Sequence, residues 1–232
     1  MIKHSPYALG ATLYMPATRP DILEVVLGEK IQGLRSLVLC LEDAVADTDV
    51  QQALNNLKQL LMAIEAQGGR PFGGPIVFIR PRDSTMAARL NEWPLISHID
   101  GFVVPKLCLN NLREWQQAVT SDALMLMPTL ETPEVFDSGA MVELRSALLE
   151  HLPGRIMALR IGGNDLMGAL GLRRTPTMTL YSTPMGYVIP MLCGIMGAAG
   201  FALTAPVFEQ LNAPQLLEQE LALDIAHGLV GK

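Results

Sequence analysis

The stretch 124–165 decides the fold: it opens on LMLMPTLE (124–131), passes through a polar segment, and closes on RIMALRIGGND (155–165). Each apolar run is long enough for a strand buried on both faces and stops at an acidic residue, Glu131 in one case and Asp165 in the other. A helical pattern over 134–149 lies between them. Strand, helix, strand with short connections predicts two neighbouring parallel strands whose C-terminal ends lie together. Ligands bind at that end of a parallel sheet, so Glu131 and Asp165 are expected to share a site. Two hard carboxylate oxygens beside small glycines suit Mg²⁺, with Mn²⁺ as the alternative.

The same alternation runs through the chain. Strands are predicted over 10–15, 34–41, 75–79, 101–104, 124–131, 155–161 and 201–204, and helices over 21–27, 47–66, 84–96, 109–119, 134–149, 166–170 and 188–199. A last helix follows 211–214, with Asn212 as its cap. Seven strand-helix units in 232 residues, with no linker-like stretch, predict one domain over 1–232. They favour a (β/α)8 TIM barrel over an open doubly wound sheet. No pattern marks an eighth strand, because the chain stops at Val230-Gly231-Lys232.

Composition narrows the class. A net charge of −6 without a basic run argues against nucleic acid as partner. The stretch 175–208 carries no charge, yet Pro184, Pro190 and Pro206 and several glycines break it, which predicts a buried helix rather than a membrane span. The first residues lack a signal pattern, and Cys40, Cys108 and Cys193 fit neither a disulfide framework nor a zinc spacing. Reduced, buried thiols in a cytoplasmic protein are expected.

Collecting the residues just after each strand gives Arg19, Glu42, Asp43, Arg80, Arg82, Lys106, Glu131 and Asp165 around one rim. The carboxylates can hold a dication and the arginines can clamp an acidic substrate. Plainer roles exist for each: helix capping for Glu131, a turn for Asp165, an ion pair with Asp83 or Glu42 for Arg82, and a salt bridge rather than a Schiff-base amine for Lys106. No histidine is assigned to catalysis.

The pieces LEDAV (41–45), IR (79–80), DGFVVPK (100–106), LETP (130–133) and GGNDL (162–166) together resemble the citrate lyase β-subunit-like branch of the HpcH/HpaI aldolase superfamily. The resemblance implies a (β/α)8 barrel, commonly trimeric or hexameric, that makes or cleaves carbon–carbon bonds beside a carboxylate, often on a coenzyme A thioester. It implies Glu131 and Asp165 as Mg²⁺ ligands, Arg80 on the substrate's oxygens, and Glu42 and Asp43 as support for Arg80 and the metal's waters. Gly162, Gly163 and Asn164 would offer backbone N–H groups to the substrate. The expected partner is a small carboxylic acid or acyl-CoA, with no membrane and no nucleic acid. Two departures stand out. Pro81-Arg82 follows Arg80 where relatives carry a small residue and then Asn, and relatives continue past a Gly-Lys pair like 231–232 into strand eight and a lid. The eighth strand and lid are therefore expected to be missing here, which keeps open a second reading, a catalytically weak barrel serving as an assembly or stress-response subunit.

Overall fold

A computed structural model describes residues 5–210 and 212–232, so His4 and Leu211 lie outside the described residues. The chain alternates as expected: β1 (Thr12–Pro16), α1 (Ile22–Val26), β2 (Ser36–Cys40), α2 (Val50–Ala66), β3 (Ile76–Arg80), α3 (Ser84–Asn91), β4 (Gly101–Val104), α4 (Leu112–Ala118). It continues through β5 (Met125–Leu130), α5 (Ser138–His151), β6 (Leu159–Ile161), α6 (Gly163–Ala169), α7 (Met185–Gly197), β7 (Leu203–Thr204) and α8 (Pro214–Ala226). The strands pair in parallel in chain order, β1 to β7.

Period-two alternation sorts each strand's side chains between two apolar layers. Leu37, Leu39, Val77, Ile79 and Phe102 pack outward against the helices. Val38, Phe78, Val103 and Met127 fill the inside of the curled sheet. The fold is the TIM barrel, filled by side chains rather than open as a pore.

Residues 230–232 occupy the place of the eighth strand, expected to be missing. Val230 N donates to Leu203 O at 2.9 Å and Ala205 N to Gly231 O at 2.8 Å, while Lys232 N donates to Gly10 O at 3.1 Å and Thr12 N to Lys232 O at 2.8 Å. This segment joins β7 to β1. Only glycine fits at its centre, since a Cβ on Gly231 would lie 2.6 Å from Gly10 O.

Differences from the expected bounds have local causes. The helix expected over 84–96 stops at Asn91, because Pro94 disfavours helical backbone at the residue before it, and a 3₁₀ turn at Ile96–His98 follows. The sixth strand is shorter than 155–161, with Ile156 making only an isolated bridge to Leu126. The residue capping α8 is Ala213, not Asn212, and Pro214 occupies the first turn, where its missing N–H costs nothing. Among the described residues no helix is long and apolar enough to cross a membrane. The apolar α7 instead buries Val188, Ile189, Leu192 and Met196 in the outer layer. The cysteines are unpaired, with Cys40 buried and Cys108 and Cys193 half-buried rather than enclosed.

Candidate metal and acid-binding site

Glu131 follows β5 directly, and Asp165 sits in the first turn of α6 just past β6. Both line one cavity of about 270 Å³ at the C-terminal end of the strands, together with Asp43, Arg80, Gly162, Gly163 and Asn164. Most of the residues expected at the site are thus brought together.

Arg80 organises the charges. One of its terminal nitrogens lies 2.8 Å from Glu42 Oε2, 3.1 Å from Glu131 Oε1 and 3.3 Å from Asp43 Oδ2. Burial alone would lower the guanidinium's pKa, but the carboxylates of Glu131 and Glu42 outweigh it and push the value up, so Arg80 stays a cation. Glu42 is buried behind Arg80, where it also accepts from Lys106 Nζ at 3.0 Å. Glu42 does not line the cavity, and its contact with the site is through Arg80. The exposed Asp43 does line it.

Glu131 is held by one oxygen and left open at the other. Its Oε1 accepts from Arg80 and, at 2.9 Å, from Lys106 N. Among the described residues Oε2 has no hydrogen bond. Burial raises the Glu131 pKa against the pull of Arg80 and the Lys106 N–H, and the nearby charges of Asp165 and Glu42 add to the rise. A carboxylate desolvated beside two others is poised for a cation. Gly162 leaves the necessary room, because a Cβ there would lie 2.3 Å from Glu131 Cβ and 2.5 Å from Oε2. The Gly162 N–H is already donated to Leu130 O at 3.0 Å, so this residue contributes space rather than a donor to substrate. Asn164 reaches sideways to the Glu209 carboxylate. Among the described residues no group of three or more acidic, His or Cys side chains could share an ion. A pair of carboxylates with vacant oxygens is the donor set that fits Mg²⁺, which completes its shell with water and substrate oxygens.

Besides Glu42, three rim residues do not join the cavity. Arg19 is paired with Asp21 at 2.6 Å, which holds the Asp21 carboxyl well below its ordinary range with help from Lys30. Arg82 donates to Leu41 O at 2.9 Å, to Val45 O and to Asp47, so its ion-pair partner is Asp47 rather than the expected Asp83 or Glu42. Asp83 instead caps α3 through Met86 N at 2.7 Å. Lys106 adopts a φ of +50°, and its bond to Glu42 raises the pKa of its amine against the effect of burial. An ammonium so held is a poor Schiff-base nucleophile.

Sequence reasoning missed the floor of the cavity, formed by Tyr14, Thr129 and Arg160. Arg160 is only 3% exposed, and its guanidinium lies 4.8 Å from the centre of the Tyr14 ring. Burial raises the Tyr14 pKa although Arg160 and Arg80 pull it down, so the phenol keeps its proton. A cation over an aromatic face gains about 2 kcal/mol when desolvated, whereas burying a lone charge costs several kcal/mol. The ring therefore offsets only part of the cost. The visible signal was a single charged residue inside the apolar run 156–161.

A larger cavity of about 750 Å³ lies between the loops that precede β2 and β3, at the opposite end of the barrel. Of its two arginines, Arg70 is paired with Asp100 at 2.6 Å, and no acid lines it. It has none of the chemistry collected at the strand ends.

A family model described as "C-C_Bond_Lyase of the TIM-Barrel fold" matches residues 3–232. No curated protein matches the chain. Among solved structures, RipC from Yersinia pestis is 17% identical over 98% of this chain and 89% of its own, with a TM-score of 0.71. A citrate lyase beta subunit from M. tuberculosis, complexed with oxaloacetate and magnesium, is 17% identical over 97% of this chain and 91% of its own, with a TM-score of 0.67. A Haloferax volcanii malate synthase in a magnesium and glyoxylate complex is 16% identical over 95% of this chain and 70% of its own, with a TM-score of 0.74. At such identities the likeness carries the fold alone.

Proposed function

The chain belongs to the C–C bond lyase family of the TIM-barrel fold, and we propose that it is a Mg²⁺-dependent lyase cleaving or forming a carbon–carbon bond in a small hydroxy- or keto-acid or its coenzyme A thioester. The observation that carries this reading is the state of Glu131. One oxygen is fixed by Arg80 and the Lys106 N–H, and the other is unbonded beside Gly162, in the cavity that Asp165 also lines. The magnesium and oxaloacetate of the citrate lyase beta subunit's complex support the choice of metal and substrate class.

Glu131 and Asp165 would hold the ion, which when bound supplies a Lewis acid for the oxygen that becomes a carbonyl as the bond breaks. Arg80 fixes Glu131 in that pose and adds positive charge next to the enolate being formed. Glu42 keeps Arg80 extended into the site. Gly163 and Asn164 line the same cavity and would face the bound acid. In the cleavage direction the substrate's hydroxyl gives up its proton to water as its oxygen becomes the carbonyl. The electron pair of the breaking carbon–carbon bond is left on the carbon next to the carbonyl of the departing fragment, and that fragment leaves as an enolate and takes a proton from water.

Calorimetric Mg²⁺ titration of the wild type and of Glu131→Gln and Asp165→Asn, with an assay across hydroxy acids and their CoA thioesters, tests the reading. Metal binding and turnover are expected in the wild type and neither in the variants. Mg²⁺ binding without turnover of any acid or thioester would sink the lyase reading and leave a binding subunit.

A further inference from the structure

We propose that Arg160 is an anion-binding floor to this cavity, and that the acid bound there carries a second carboxylate directed at it, so that small dicarboxylates are preferred over monocarboxylates. As a statement about substrate this rests on the lyase reading, whereas the anion site itself does not.

The first argument is that Arg160 lacks the partners found by other enclosed arginines. Arg174 donates to both oxygens of Glu220, Arg70 to Asp100, Arg155 to three backbone carbonyls, and Arg80 faces three carboxylates. Among the described residues the Arg160 side chain makes no hydrogen bond or ion pair, and its Nη1 is buried without a partner. A guanidinium with 3% exposure and only a ring against it is a charge waiting for an anion.

The second is what surrounds it. Arg160 is in register with Thr129 on β5 and Thr204 on β7, so the three side chains form one layer across neighbouring strands. Both threonine hydroxyls are buried and unpartnered as well. A planar guanidinium fork beside the Thr129 hydroxyl, which lines the same cavity, matches the geometry of a carboxylate.

The third is size and charge order. The cavity's 270 Å³ is the room of about nine waters at roughly 30 Å³ each, enough for a small diacid but not for a coenzyme. Glu131 and Asp165 attract a cation at the mouth, and Arg160 attracts an anion at the floor. A molecule with a metal-chelating acid group at one end and a carboxylate at the other satisfies both.

The test is calorimetry on the full chain, pairing malonate with propionate and succinate with butyrate at constant ionic strength, once with Mg²⁺ and once with a chelator. In the wild type each dicarboxylate should bind at least about tenfold tighter than its partner. Arg160→Gln should abolish that advantage and leave Mg²⁺ affinity within about twofold, and Arg160→Lys should restore part of it. Equal binding within each pair in the wild type, a comparison that depends on no variant's folding, overturns the proposal, as does an advantage that survives Arg160→Gln. If Mg²⁺ binds through Glu131 and Asp165 while the pairs bind equally, this inference fails and the lyase reading stands. If Mg²⁺ does not bind but the Arg160-dependent preference persists with the chelator, the lyase reading fails and the anion site stands.

Discussion

Two buried charge clusters lie in this barrel, and they differ in completeness. Around α8, Glu220 accepts from Arg174 at 2.7 and 2.8 Å, from Lys232 at 2.8 Å and from Leu180 N at 2.9 Å. Asp224 takes the other Lys232 contact at 2.7 Å and the Tyr181 hydroxyl at 2.8 Å. Every carboxylate oxygen there has a donor. At the strand ends, among the described residues, Glu131 keeps an oxygen without a hydrogen bond and the Arg160 side chain is paired with no acid. A cluster whose members satisfy one another holds the chain together, whereas one left unsatisfied has been kept open for something from outside.

The sharpest way to break this contrast is Glu131→Gln. Mg²⁺ affinity should fall by more than about 100-fold, the bound for changes behind a ligand, with little change in the urea midpoint. Glu220→Ala should do the reverse. It strands Arg174 and Lys232, so stability should drop by about 3–5 kcal/mol in urea unfolding while the folded fraction still binds Mg²⁺. If both variants lost metal and stability alike, the clusters would not be separable in function.

Gly162→Ala sharpens the comparison within the open cluster. The added methyl would displace the Glu131 side chain, and Mg²⁺ affinity should fall by about 10–100-fold, as for other changes that misorient a ligand. Acid separates the clusters by sign. Although burial opposes it, Lys232, the Leu180 N–H and Arg174 lower the Glu220 pKa below its ordinary 4.5. Its stabilisation is thus complete above about 4.5 and is lost as pH falls through the depressed value, and Glu220→Gln should flatten the acid limb of the unfolding curve. Glu131 is raised, so protons should begin to displace Mg²⁺ at a pH above the ordinary carboxylate range, visible in titrations repeated from pH 7 downward. The smallest effect is the reference: Asp83→Ala removes an ordinary helix cap in neither cluster and should cost about 1 kcal/mol by thermal unfolding.

What the sequence made legible follows from these contacts. Apolar runs that stop at a charge reveal where strands end, so Glu42, Arg80, Glu131 and Asp165 could be gathered at one rim from order alone. Arg160 escaped because it lies within such a run, where alternation sets whether a residue faces the barrel's interior but not whether it will find a partner. Glu220 and Asp224 escaped for another reason: acids four apart on a weakly amphipathic helix read as a wetted face, and Arg174 and Lys232 are distant in sequence. The three-residue closure at 230–232 has no periodicity to detect at all.

That closure also covers part of the sheet's margins. Residues 230–232 bond to Gly10 and Thr12 on one side and to Leu203 and Ala205 on the other, so the start of β1 and the end of β7 do not present these backbone groups to another molecule. Deleting these three residues would free both margins at once, and such a shortened chain should self-associate through strand pairing.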